Sequence, residues 1–335
     1  MIRLVFLMQS AFWSSFFSWI EKARYSGALK SAHVPDDPIF IIGHWRTGST
    51  FLHQLMSLDR NLHTPTLFQV AVPDSFLVSY PYYRPIFKRV VSEHRPMDYV
   101  KIGMDEPQED EYAIYRITSY SPLENLVFPK SPSYFLNHGS PFLPDDGSMT
   151  RWKEEVKNFY KKLHFKSGKR IVSKNPFNSF RINVLYDIFP KARFIHIVRH
   201  PYCVVPSTIH MWNILHDQNS MNSNGTGPEF SEVVGVLKNL VGTVEQAKKD
   251  LPAGAIVQIR FEDLETNPAG VLKGVYKELG LPFTEEFEHR IKAFMDENRS
   301  FKKNSFSLSG EEKRAISREM EFQMSSCNYI QDDCC

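Results

Sequence analysis

At 335 residues the chain is long enough to bury a large core, as one α/β domain or as a domain carrying insertions. Its 42% hydrophobic and 23% charged residues exclude both extended disorder and a bundle of membrane spans. A net charge of +2, from 40 basic and 38 acidic side chains, excludes non-specific nucleic-acid binding, so any basic site must be local.

The chain opens with MIRLVFLMQSAFWSSFFSWI, apolar and aromatic but interrupted by serines and Gln9, and no small-residue cleavage site follows. This predicts an amphipathic helix over residues 1–30. The sequence leaves three placements open: against the body of the protein, on a membrane surface through residues 1–20, or as a signal anchor. Residues 31–320 then read as one domain. Four short apolar runs within it, Ile39 to Ile42, Arg170 to Ser173, Phe194 to Val198 and Ile256 to Ile259, have the character of buried parallel strands. Helical patterns separate them at Phe51 to Leu58, Arg151 to Leu163, Phe180 to Ile188, Val233 to Lys249 and Ala269 to Leu279. Strands alternating with helices predict a three-layer α/β fold, a central parallel sheet flanked by helices.

Residues 64–144, with PYYRP, SPSYF and SPFLP, are rich in proline and aromatics and poor in strand periodicity. They read as an insertion that shapes a pocket. Residues 216–228 (HDQNSMNSNGTGP) have the composition of a mobile loop, and 321–335 that of a C-terminal tail. Cys327, Cys334 and Cys335 crowd the C-terminal end and leave only Cys203 inside the expected fold, which predicts a reducing, cytoplasmic setting. Sequons at Asn224 and Asn298 point weakly the other way.

The run FIIGHWRTGSTFLHQLM places a strand, a glycine-bounded turn and an amphipathic helix in succession. Backbone N–H groups of such a turn converge with the helix dipole on a phosphate. The spacing is that of the nucleotide loop G-x4-G-K-[ST], but Ser49 stands where the lysine belongs and no apolar strand ends in a magnesium-binding aspartate. Arg46 supplies the cation instead.

Here the sequence resembles the phosphosulfate-dependent sulfotransferase family, bacterial type, whose first signature, R-x-G-[ST]-[ST], reads Arg46-Thr47-Gly48-Ser49-Thr50. The second signature is an Arg-x7-Ser pair after a buried strand, Arg199 and Ser207 in ARFIHIVRHPYCVVPSTIHMW. IVSKNPFNSFRI resembles the family's third strand with its lysine, Lys174, and DEPQEDEYA resembles the P-x-E-D-E segment of bacterial members. RFEDLETNP resembles Y-E-D-L-x-x-x-P, with Phe261 replacing the tyrosine, and the match runs in order from about Pro38 to about Pro282.

The resemblance implies a P-loop-like fold that binds 3′-phosphoadenosine-5′-phosphosulfate and passes its sulfuryl group to a hydroxyl or amine of a small-molecule, lipid or carbohydrate acceptor, with no metal. Thr47, Gly48, Ser49, Thr50 and Phe51 would hold the 5′-phosphate. Arg199 and Ser207 would grip the 3′-phosphate, and Arg46 and Lys174 would face the bridging oxygen. The family's usual bases are replaced, by Asn175 and Asn178 after the third strand and by Gln69 in TPTLFQV. Glu109 and Asp110 are the remaining candidates for the base, with Glu106 and His44 behind them. The alternatives are a nucleotide-binding module that has lost its base and a P-loop kinase of small metabolites.

Overall fold

The computed structural model describes residues 2–90, 103–123, 142–219, 227–299 and 306–329. Its centre is a sheet of five strands, β1 (Ile39–Ile42), β2 (Leu62–His63), β3 (Arg170–Lys174), β4 (Arg193–Val198) and β5 (Ile256–Arg260), all parallel, in the order β2-β3-β1-β4-β5. The four expected strands are present. β2 is two residues long, too short to leave a periodicity in the sequence.

Every residue of β1 is buried, because helices cover both faces of the sheet. Successive side chains alternate between the faces. Phe40 and Ile42 pack with Phe194 against Trp152, Val156 and Tyr160 of the helix Asp146–Ser167 and against Leu240 and Val244 of the helix Phe230–Asp250. Ile39 and Ile41 join Ile195 and Ile197 on the other face, against Leu52 and Leu55 of the helix Ser49–Ser57 and Leu272 and Val275 of the helix Pro268–Leu279. The three-layer α/β architecture is therefore the one expected.

The expected helix from Phe180 to Ile188 is a 3-10 turn, Pro176–Phe180, followed by a helix, Ile182–Ile188, with Arg181 fully buried between them. The described part of 64–144 holds the helices Leu67–Ala71, Phe76–Val90 and Glu111–Thr118. Pro81 and Pro85 lie inside the second, where their rings hide the helical pattern from a sequence reading. Of the loop expected at 216–228, residues up to Asn219 extend the helix Pro201–Asn219, and 220–226 fall outside the described residues. Of the tail expected at 321–335, residues 321–329 are not one, since Met324, Cys327 and Tyr329 are buried in the core cluster that contains Val204 and Leu237, and 330–335 fall outside the described residues.

Cys203 is disulfide-bonded and Cys327 is a buried free thiol. The N-terminal helix spans Ile2–Ser31. Among the described residues no helix is long and apolar enough to cross a membrane.

Candidate active site

All five strands present their carboxyl ends on one edge, and β1 lies between β3 and β4, so the turn after β1 is flanked by the residues that follow those two strands. Gly43 begins this turn at φ 149, and a Cβ there would stand 2.5 Å from the Ile197 carbonyl oxygen, so no larger residue fits. Its N–H donates to Ser179 Oγ at 2.9 Å, and Thr47 Oγ1 donates to the His44 carbonyl at 2.7 Å. Arg46 has φ 67 and Gly48 φ 90, both left-handed; for arginine that conformation costs about 1–2 kcal/mol.

The helix Ser49–Ser57 follows with no side-chain cap, and its first intrahelical bond is Leu52 N–H to the Gly48 carbonyl at 3.1 Å. The N–H groups of Ser49, Thr50 and Phe51 thus have no intrahelical acceptor and stand at the positive end of the helix dipole. A Cβ on Gly48 would lie 2.1 Å from Cδ2 of Phe261. This loop fits a phosphate group: its donors converge, its backbone is open and a guanidinium lies within it.

From β4 come the partners on one side. Arg199 donates through Nη1 to the Arg46 carbonyl at 3.2 Å, and its guanidinium carbon lies 4.5 Å from the centre of the Phe261 ring. Arg46 Nε donates to Ser207 Oγ at 2.9 Å. The two expected phosphate sites therefore adjoin, with Arg46 bonded to both members of the second. Burial pulls the Arg199 pKa down, with Glu262 and Glu265 opposing that shift, and a guanidinium keeps its charge regardless. Glu262 braces the turn after β4: Oε1 accepts the His200 N–H and Oε2 accepts the Tyr329 hydroxyl, each at 3.0 Å. Phe261 and Glu262 were missed as site residues, although the RFEDL resemblance carried both.

From β3 comes Lys174, in register with Ile41 of β1, and its Nζ forms an ion pair with Glu109. Glu109 is partly exposed, while Asp110 beside it is fully buried. Asp110 accepts the Tyr160 hydroxyl and the Asn175 side-chain amide, the latter at 2.8 Å, and burial raises its pKa. Both oxygens of Asp110 are thus taken up by buried scaffold side chains, which does not fit the expected role as proton acceptor. Glu111, which the sequence reading passed over, is the anchor of that scaffold. Burial would raise its pKa, but the charge and hydrogen bonds of Arg181 outweigh burial and hold the carboxylate below its usual range. Arg181 grips it with both terminal nitrogens, at 2.5 and 3.0 Å, and Asn175 donates to it at 2.7 Å.

Asn175 thus positions carboxylates rather than reactants. Gln69 is likewise structural, accepting the Thr66 N–H at 2.9 Å in a capping box and lying 3.1 Å from His63 Nε2. His44 is buried in the cradle, with Nδ1 3.0 Å from the Trp45 carbonyl and Nε2 without a hydrogen-bond partner among the described residues. Burial lowers its pKa to about 4, so at neutral pH the ring is uncharged.

A parallel sheet with a loop that fits a phosphate at its centre and cations from both neighbouring strands is the P-loop-like arrangement. The family model described as "Sulfotransferase family" matches residues 38–285, and the chain belongs to that family. It is 32% identical over 296 residues to the omega-hydroxy-beta-dihydromenaquinone-9 sulfotransferase Stf3 of Mycobacterium bovis, covering 88% of this chain and 76% of that protein. The protein of the same name from Mycobacterium tuberculosis matches with the same figures. Two solved structures share the fold. Sulfotransferase STF9 from Mycobacterium avium has a TM-score of 0.69 at 17% identity, covering 92% of this chain and 81% of its own. STF1 from Mycobacterium tuberculosis has 0.62 at 16%, covering 90% and 80%.

Proposed function

We propose that this sulfotransferase takes the sulfuryl group from 3′-phosphoadenosine-5′-phosphosulfate and delivers it to the hydroxyl of an apolar, lipid-like acceptor. The observation that carries the reaction is the Glu109–Lys174 ion pair at the end of β3, next to the cradle that follows β1. In this reading the loop N–H groups from Thr47 to Phe51 and the hydroxyls of Ser49 and Thr50 hold the 5′-phosphate. Arg199 and Ser207 hold the 3′-phosphate. Phe261, which lies against Gly48 and Arg199, gives the nucleotide an aromatic wall.

Transfer is an in-line displacement: the acceptor oxygen bonds to sulfur, and the bond from sulfur to the phosphate oxygen breaks, leaving its electron pair on that oxygen. Arg46 and Lys174 neutralise the charge that grows there, which lowers the barrier without a metal. Glu109 accepts the acceptor's proton. As the proton arrives the carboxylate loses its charge and its hold on Lys174 weakens, so the ammonium turns toward the leaving oxygen when charge appears on it.

Two facts support an apolar acceptor. The relative at 32% identity is named for a hydroxylated menaquinone derivative. An aromatic cluster of Trp45, Phe142, Phe177 and Trp212 adjoins the cradle, which contributes Trp45 itself. The described part of 64–144, in which Glu109 lies two residues before the helix Glu111–Thr118, would shape further acceptor walls. The test is transfer of labelled sulfate from the phosphosulfate, in EDTA, to a panel of hydroxylated isoprenoids, phenols, sterols and sugars. Labelled product from an apolar alcohol with stoichiometric adenosine-3′,5′-bisphosphate supports the reading. Transfer to sugars alone overturns the acceptor class, and tight nucleotide binding with no transfer to any acceptor makes the chain a binding module.

A further inference from the structure

The N-terminal helix is held to the body by one side. Phe17 is buried and packs at a tilt against Tyr82 and Tyr83 of the helix Phe76–Val90, with ring centroids 5.0 and 5.6 Å away. Glu21 is buried, paired with Lys162 and accepting the Leu77 N–H at 2.8 Å. The opposite face has no cover among the described residues: Phe12 is 65% exposed and Trp19 67%, with Trp13 and Phe16 beside them. Tyr82 and Ile86 of the neighbouring helix, which meets this one through Phe17, are exposed as well, at 62% and 54%. Large aromatic residues grouped in this way are far from the scattered single exposures that soluble proteins tolerate.

The exposed charges that the two helices themselves carry among the described residues have one sign, while Asp105, outside them, accepts the Tyr80 hydroxyl at 2.9 Å. Lys22, Arg24, Lys30 and Arg84 are exposed, whereas Glu21, the only acidic residue in the sequence of either helix, is turned inward and neutralised. Asp74, at the margin, is held by Arg116 at 3.0 Å.

We propose that these two helices form a docking platform for an anionic lipid bilayer, lying in the interface with the aromatic side chains among the acyl chains and the cations at the headgroups. Tryptophan and tyrosine suit that depth because they join an apolar ring to a polar edge, and basic residues on the rim add attraction to anionic lipid. A second copy of the chain would instead have to bring acidic residues to this face. The platform is tied to the reaction machinery: Arg116, on the helix Glu111–Thr118 that begins two residues after Glu109, donates to Ser14 Oγ at 2.5 Å. Docking would therefore place the element that carries Glu109 next to the layer where an apolar acceptor dissolves. That last link rests on the proposed acceptor; binding to lipid does not, so the two fail separately.

The test is sedimentation of the full chain with vesicles of phosphatidylcholine alone and of phosphatidylcholine mixed with phosphatidylglycerol, with tryptophan emission read alongside. The wild type should bind the anionic vesicles about tenfold or more tightly than the neutral ones, with a blue shift and a loss of binding at high salt. The double variant Trp13→Ser/Trp19→Ser should melt like the wild type, since both side chains are exposed, and lose about tenfold or more in vesicle binding. Failure of the wild type to bind either vesicle, or unchanged binding by the variant, would overturn the proposal. So would a dimer, seen by sedimentation equilibrium, that the variant abolishes.

Discussion

Each of the charged groups that meet at the cradle makes a separate demand. Glu109→Gln keeps the shape of the side chain and removes the proton acceptor, so turnover should fall roughly 10²- to 10⁴-fold while nucleotide affinity survives, and the acidic limb of the rate profile should vanish. Near-normal turnover in that variant would move the base to His44, whose Nε2 has no hydrogen-bond partner among the described residues. Arg199→Ala should weaken binding of adenosine-3′,5′-bisphosphate by roughly 2 to 4 kcal/mol and spare analogues that lack the 3′-phosphate, whereas Arg46→Ala should depress turnover more than affinity. Calorimetric titration with both nucleotides separates the two, and equal losses for both ligands would make Arg199 structural. Arg46, Lys174 and Arg199 were legible in the sequence because each sits at or just after an apolar strand, where the fold delivers side chains to one edge. The choice between Glu109 and Asp110 was not. Adjacent carboxylates look alike in a sequence, and only packing against Tyr160 and Asn175 decides that one is buried and the other exposed.

At the level of the element, the strand–turn–helix of the cradle depends on a glycine for two reasons at once. Gly48→Ala must adopt φ near 90 and push its methyl into the Phe261 ring, at a cost of about 2 kcal/mol or more, and adding Phe261→Ala should recover only the steric part. Thermal melts of the single and double variants check this. The turn after β3 rests on the Arg181–Glu111 pair; breaking a buried pair with Glu111→Gln should cost about 3 to 5 kcal/mol. The sign of its pH dependence follows from the lowered pKa. Glu111 contributes stability above its ordinary value of 4.5, and that contribution is lost as pH falls through the lower folded value, so the wild type should weaken with acid there and the variant less so. Four of the five strands and the helices Ser49–Ser57, Asp146–Ser167, Phe230–Asp250 and Pro268–Leu279 could be read from short apolar runs and helical periodicity. The helix Phe76–Val90 could not, because Pro81 and Pro85 argue against it and packing on Phe17 overrides them.

For the whole molecule, a net charge of +2 says nothing of where cations gather, and Arg46, Lys174 and Arg199 gather at the cradle. The cradle carries the central claim, and binding of its nucleotide in the absence of metal tests that claim most directly. Thermal unfolding in EDTA, with adenosine-3′,5′-bisphosphate at about a hundred times its dissociation constant, should show roughly 2.7 kcal/mol of added stability. ATP with magnesium should add far less, because the loop has Ser49 where a kinase needs lysine. Equal or larger stabilisation by magnesium-ATP, or none by the bisphosphate, would contradict the account.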